Sequence, residues 1–192
     1  MPDDDRSRWD RRYRDRATSA RPPEPFLLDL DALLPRRGRA LDVAGGDGRN
    51  AEWLARRGLA VTIADFSEVA LGRARDRAGA EGLAIETLSI DLEAAPLPRG
   101  PWDLVVCVRF LHRPLFAQFA RALGPGGLLV VVHPTRANLA RHDRPGPRHL
   151  LDEGELPGLV PGLDVLHHDE GWRDDGRHDA RLVARAPGGS VG

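Results

Sequence analysis

The chain has 192 residues, 41% of them hydrophobic, which suits one domain with a substantial core. Its formal net charge of −1 gives no overall positive potential that would attract nucleic acid. All 28 basic residues are arginine, which excludes a Schiff-base lysine and a lysine-bearing phosphate loop. The single cysteine, Cys107, excludes a disulfide framework and lies in an apolar run that predicts a buried position.

Residues 1–25 are charged and then rich in proline, and we interpret them as an N-terminal cap or lid. Trp9 and Tyr13 stand four residues apart, so a helix places both rings on one face. That face either packs the helix on the domain or closes over a bound cofactor. The run 26–34 then predicts a second helix. Its expected buried residues are Phe26, Leu30, Leu33 and Leu34.

A strand, a glycine turn, a helix and a second strand follow one another in the next part of the chain. The apolar strand 40–43 enters the turn 44–48, a helix covers 49–57, and the strand 60–64 ends on Asp65. Glycines let the backbone approach a ligand closely, and the helix start offers free N–H groups. A carboxylate at the second strand's tip can accept both hydrogen bonds from a ribose diol. This unit predicts a site for an adenosine-containing cofactor.

The remaining elements alternate in the same way. Ser67 is the predicted N-cap of a helix, and a third strand over 83–90 ends on Asp91. Further strands are expected over 102–108 and 128–132, separated by a helix that begins at Pro114 and a tight turn over 124–127. A long loop over 134–157 and an antiparallel hairpin formed by 163–172 and 178–186 complete the chain.

These elements predict an α/β fold with a single doubly wound, mostly parallel seven-stranded sheet and a C-terminal antiparallel hairpin. We assign this domain to residues 26–186 and interpret 187–192 as a disordered tail. Ligands of such sheets bind at the carboxyl ends of the central strands. Asp65, Asp91 and the segment after Val108 should therefore converge on one crevice.

The glycine turn alone does not identify the nucleotide, because it also fits the relaxed dinucleotide pattern and leaves an NAD site open. Three features favour a different cofactor. The chain has little room for a second substrate region, Asp91 offers an acceptor suited to an adenine amino group, and a terminal hairpin is foreign to the dinucleotide sheet.

The sequence LDVAGGDGRN over 41–50 resembles the first motif of class I S-adenosylmethionine-dependent methyltransferases, D-x-G-x-G-x-G. The later stretches ADFS, IDLE, WDLVVCVRFLHRPLF and LGPGGLLVVV are similar to the family's second to fifth motifs, so the likeness covers about residues 9–186. Within this Rossmann-like superfamily the chain is most similar to small tellurite-resistance-type and thiopurine-type bacterial enzymes. Ala44 departs from the motif's first glycine, and we expect a modest loss of cofactor affinity while the turn survives.

The resemblance implies S-adenosyl-L-methionine as cofactor and S-adenosyl-L-homocysteine as product. It implies that Asp65 binds the ribose hydroxyls and that Asp42 orients the turn or meets the cofactor amino group. The full candidate cofactor-binding set is Trp9, Tyr13, Asp42, Ala44, Gly45, Gly46, Gly48, Asn50, Asp65, Phe66, Asp91, Leu92 and Val108.

Three residues at the strand ends are candidates for catalysis. His112 and His133 are placed to act as general bases for a hydroxyl or amine acceptor. Arg109 follows an apolar strand, where a charged side chain needs a partner of opposite charge. We expect that partner to be the cofactor carboxylate, an anionic substrate or a nearby aspartate. The histidines of the hairpin do not predict a metal site, since neighbouring side chains on a strand point to opposite faces.

The sequence therefore predicts an enzyme that transfers a methyl group from S-adenosylmethionine to a small molecule, whether thiol, chalcogenide, hydroxyl or amine. A tRNA or protein methyltransferase and a non-catalytic S-adenosylmethionine-binding regulator stay open as alternatives. No apolar stretch is long enough for a membrane span and no signal peptide precedes the charged start, so we expect a cytoplasmic protein without a membrane partner. Nucleic acid is not an expected partner, and a homodimer is left open.

Overall fold

The structure is a computed structural model that describes residues 3–15 and 22–188. The expected tail over 187–192 lies mostly outside these residues. Six helices occur among them, and they are α1 (Asp3–Arg14), α2 (Pro25–Asp29), α3 (Arg49–Arg56), α4 (Glu68–Glu81), α5 (Arg113–Phe116) and α6 (Phe119–Ala122). No helix in the described part is long and apolar enough to cross a membrane.

Seven strands form one sheet in the order β3-β2-β1-β4-β5-β7-β6. The strands are β1 (Arg39–Val43), β2 (Ala60–Asp65), β3 (Ile85–Ser89), β4 (Trp102–Val108), β5 (Leu123–Pro134), β6 (Asp164–Trp172) and β7 (His178–Arg185). The first five are parallel, whereas β7 runs antiparallel between β5 and β6. The predicted fold class is confirmed.

The sheet separates two apolar layers, and its central strands are buried on both faces. Successive residues of β4 pack alternately into the two layers, with Cys107 in one and Val106 in the other. This explains why β4 reads as a continuous apolar run. Cys107 is fully buried, and burial raises the pKa of its thiol.

Two helices differ from the sequence prediction. The helix expected over 26–34 ends at Asp29, Leu33 is exposed, and Leu27 takes a buried place instead. The Asp31 carbonyl cannot take part in a helical ladder, because the residue four positions on, Pro35, has no N–H, and it accepts a hydrogen bond from Arg57 at 2.7 Å instead. The helix expected from Pro114 is divided into α5 and α6, although its apolar residues are buried as predicted.

The segment between β5 and β6 contains short 3-10 turns rather than a featureless loop. They lie at Arg136–Ala140, Pro147–His149 and Leu156–Leu159. Arg113 anchors the segment, because its guanidinium bonds both the Glu155 carboxylate and the Leu150 carbonyl. The strand β6 forms one sheet edge and has an irregular register between Val165 and His167.

Candidate cofactor and acceptor site

The turn after β1 has a backbone that only small residues accommodate. Ala44, Gly46 and Gly48 have φ values of 52°, 57° and 81°, in the left-handed region. A Cβ on Gly45 would lie 2.7 Å from the carboxyl carbon of Asp42 and 2.9 Å from Ile63. The turn therefore forms a narrow cradle, and a side chain added to it would collide with residues of β1 and β2.

Asp42 lies beneath this cradle and is 1% exposed. Neither of its carboxylate oxygens makes a well-formed hydrogen bond to a described residue. Burial raises the pKa of the carboxyl to about 7, against an opposing effect of the nearby Arg49 guanidinium. Since an unpaired buried carboxylate is costly, this position suits a cationic ligand group.

Asp65 closes the turn from the tip of β2. Its two carboxylate oxygens accept hydrogen bonds from the backbone N–H groups of Gly46, at 2.8 Å, and Ser67, at 2.9 Å. Burial raises the pKa of the carboxyl, and these bonds act in the opposite direction. The Phe66 N–H acts on the carboxylate in the same direction, and because a carboxylate offers about four acceptor positions, at least one remains for a ribose hydroxyl.

The other predicted adenosine contacts lie beside Asp65, with different degrees of burial. Phe66 and Asp91 are half-buried, and Leu92 is buried in the core. An Asp91 carboxylate oxygen accepts a hydrogen bond from the Glu93 N–H at 3.0 Å, which orders the turn after β3.

Helix α1 lies across the glycine turn. Tyr13 is buried, and a Cβ on Gly46 would collide with its hydroxyl group. Trp9 stands beside Tyr13, with ring centroids 6.0 Å apart. Asp10 accepts a 2.5 Å hydrogen bond from the Ser67 hydroxyl at the start of α4. The two aromatic residues thus share one face, as the spacing predicts, and that face meets the candidate cofactor site.

Asn50 takes a structural position at the start of α3. Its side-chain oxygen accepts a hydrogen bond from the Glu24 N–H at 2.9 Å, which fixes the segment before α2. Val108 is half-buried at the end of β4 and packs against the core. The local motif located both residues but gave no sign of the Glu24 contact, which spans 26 positions.

Arg109 follows β4 with a left-handed φ of 61°. A guanidinium nitrogen lies 3.6 Å from Glu24, 3.6 Å from Asp175 and 3.8 Å from Asp179. The aspartate partner that the sequence left open is therefore present in the structure, together with a glutamate. Sequence reasoning missed these acids, because they come from distant segments and have no motif.

His133 is 3% exposed at the end of β5. Its Nε2 lies 2.9 Å from the His149 carbonyl oxygen, which can only accept, so we assign the hydrogen to Nε2 and the lone pair to Nδ1. Nδ1 is buried without a hydrogen-bond partner among the described residues. Burial lowers the pKa of this imidazole to about 4. His112 is half-buried just before α5.

Residues 40–127 match a family model described as a methyltransferase domain. The matched stretch contains the glycine turn, both predicted acid tips and β4. This stretch, a little under half of the chain, is similar to methyltransferase domains, in line with the family that the sequence predicts. In the described residues no group of three histidine, cysteine or acidic side chains could hold a metal ion.

The similar proteins include some that are named as methyltransferases. Demethylmenaquinone methyltransferase of Thermus thermophilus is 40% identical over 114 residues, which are 55% of this chain and 50% of that protein. The chain spans about half the length of the curated relatives it matches.

Solved structures share the fold at low sequence identity. TehB from Haemophilus influenzae superposes with a TM-score of 0.71 at 21% identity, over 85% of this chain and 62% of that one. A second solved structure is described as the conversion of a disulfide bond into a thioacetal group during echinomycin biosynthesis. It superposes with a TM-score of 0.74 at 22% identity, over 95% of this chain and 92% of that one.

Proposed function

We propose that this protein transfers a methyl group from S-adenosyl-L-methionine to a small-molecule acceptor. The observation that carries the proposal is the buried Asp42 carboxylate, which makes no well-formed hydrogen bond to a described residue and lies under a turn that excludes side chains. The cofactor's ammonium group matches that carboxylate in charge. The name of the Thermus thermophilus relative, a demethylmenaquinone methyltransferase, supports a small acceptor.

The residues present fit the cofactor. Asp42 would pair with its ammonium group, and the turn over 44–48 would leave room for its methionine portion. Asp65 would accept from at least one ribose hydroxyl through a remaining lone pair. Phe66, Asp91 and Leu92 would surround the adenine, while helix α1 would cover the site through Trp9 and Tyr13.

When bound, the cofactor supplies an activated methyl group on a sulfonium. The protein's contribution is then mainly to hold the two reactants in line, which can supply on the order of 7–11 kcal/mol. Tyr13 and its helix exclude water from the glycine turn, and a dry site strengthens the electrostatic interactions within it. For a hydroxyl acceptor, whose proton must leave as the methyl group is transferred, we propose His133 as the proton acceptor, because its Nδ1 carries the lone pair, with His112 as the second candidate.

Calorimetry with S-adenosylhomocysteine and with NADH tests the cofactor. We expect binding of the homocysteine adduct and none of NADH. Asp42→Asn and Asp65→Ala should each weaken binding at least tenfold, since each removes a hydrogen bond to a charged group. Asp164→Asn is the matched control, because Asp164 is exposed at the other end of the sheet and should leave affinity unchanged. Tight NADH binding without adduct binding would refute the proposal.

Transfer of radiolabelled methyl groups distinguishes an enzyme from a regulator that only binds the cofactor. The assay covers thiols, selenite, tellurite, phenols and amines, with bulk tRNA and protein as macromolecular acceptors. We expect label in at least one small molecule. Label in tRNA or protein alone would contradict the small-molecule assignment, and binding without any transfer would contradict catalysis.

A further inference from the structure

One carboxylate of the cluster around Arg109 is poorly paired. Glu24 has a closer arginine of its own, Arg49 at 3.1 Å, and Asp175 has Arg177 at 2.5 Å. Among the described residues, Asp179 has one ion-pair contact within 4 Å, to the shared Arg109 at 3.8 Å, and Arg177 acts on it electrostatically from further away. Its side chain is 4% exposed, and its Oδ1 has no hydrogen-bond partner among the described residues.

The position of Asp179 separates it from the cofactor contacts. It lies at the start of β7 and is paired with Pro134 at the carboxyl end of β5. Strands are spaced about 4.8 Å apart, so the tip of β7, three strands from β1, lies roughly 14 Å from the tip that carries Asp42. One ammonium group cannot serve both acids. Asp179 therefore belongs to the side of the crevice beyond β4.

Arg109 is unsuited to bind an anionic acceptor at this edge. Its guanidinium already faces the buried carboxylates of Glu24 and Asp179 and the exposed carboxylate of Asp175, so a thiolate or chalcogenide brought there would meet three negative charges. Repulsion between like charges is strongest beside the two buried groups, where water screens it least. The same surroundings favour a cation.

We propose, on the basis of the methyl transfer proposed above, that the acceptor is an amine whose nitrogen is held by Asp179. The amine leaves its ammonium proton to solvent and attacks as the neutral base. A C–N bond forms as the C–S bond breaks, the electron pair of that bond leaves with sulfur, and the positive charge moves onto nitrogen. Asp179 stabilises that charge where it develops. A thiolate acceptor would lose its charge in the same step and gain nothing from the carboxylate.

Matched ligand pairs test the amine site by binding alone. Calorimetry on the protein saturated with S-adenosylhomocysteine compares benzylamine, 2-phenylethylamine and hexylamine with benzyl mercaptan, 2-phenylethanethiol and hexanethiol. We expect at least one amine to bind tenfold or more tightly than its thiol twin at pH 7.5. Equal affinity within every pair, or no amine binding at all, would overturn the proposal without any variant.

Asp179→Asn then assigns the contact. Loss of a charged hydrogen-bond partner should weaken amine binding about 10- to 100-fold and leave the affinity for S-adenosylhomocysteine unchanged. Asp164→Asn removes an exposed carboxylate from the same hairpin and should change neither affinity. If Asp179→Asn weakens S-adenosylmethionine binding and spares the amine, the carboxylate serves the sulfonium and the proposal fails.

The two proposals fail in distinguishable ways. Amine binding that depends on Asp179 in a protein that does not bind S-adenosylhomocysteine would refute methyl transfer and keep the cation site. Binding of the homocysteine adduct without an amine preference would keep the methyltransferase and refute the amine.

Discussion

Replacing Asp42 by asparagine should stabilise the cofactor-free protein while it weakens cofactor binding. Burial raises the pKa of this carboxyl from 3.8 to about 7. Between those values the folded state keeps a proton that the unfolded state has lost, so stability falls as pH rises and becomes level above about pH 7. One pKa unit corresponds to about 1.4 kcal/mol, so the wild type loses roughly 3 kcal/mol between pH 5 and pH 8 from this group.

Urea unfolding of both proteins at pH 5 and pH 8 measures this effect. The asparagine does not titrate, so the variant should gain up to about 3 kcal/mol relative to wild type over that interval. A buried asparagine amide without hydrogen-bond partners lowers the free energy of unfolding of the variant by the same amount at both pH values, so this cost cancels when the two are compared. Wild-type affinity for S-adenosylhomocysteine should rise with pH up to about 7, because the ammonium needs the ionised acid. A stability difference that does not change with pH would refute this reasoning.

Three further substitutions test the local structure. Ala44→Gly should raise the free energy of unfolding by about 1 kcal/mol, because it relieves a left-handed backbone, and an unchanged urea midpoint would argue against that strain. Gly45→Ala should abolish binding of S-adenosylhomocysteine in calorimetry, since the new methyl group meets Asp42 at 2.7 Å; wild-type affinity would show that the turn is not the binding surface. Ser67→Ala should cost about 1 kcal/mol in urea unfolding by removing the N-cap of α4, whose hydroxyl accepts from the Ala70 N–H at 3.2 Å; a cost near zero would mean that water replaces the cap.

The sheet and the cofactor edge could be predicted because their signals are local. The turn after β1 and the acid at the tip of β2 lie within 26 consecutive residues, and the apolar run of β4 reports burial on both faces. Asp42 and Asp65 were located by the same spacing. Their hydrogen bonding was not predicted, because only the packed structure shows that Asp42 makes no well-formed hydrogen bond to a described residue while Asp65 accepts from the N–H groups of Gly46 and Ser67.

Contacts between distant segments account for what the sequence missed. The helix expected over 26–34 ends at Asp29, and the Asp31 carbonyl beyond it pairs with Arg57, a contact that helix propensity does not report. The partners of Arg109 come from two separate segments, the stretch before α2 and the C-terminal hairpin, and the lone pair on His133 depends on the carbonyl of His149. No spacing rule brings such groups together.

The edge strand β6 has a consequence for how the molecule behaves at high concentration. An edge offers unpaired backbone groups on which another chain could add a strand and begin aggregation. Here its middle carries His167, His168, Asp169 and Glu170, and its register is interrupted beside Val165. Charged side chains and an irregular backbone are the features by which natural sheets resist such growth. The hairpin thus ends the sheet and discourages strand addition by a second molecule.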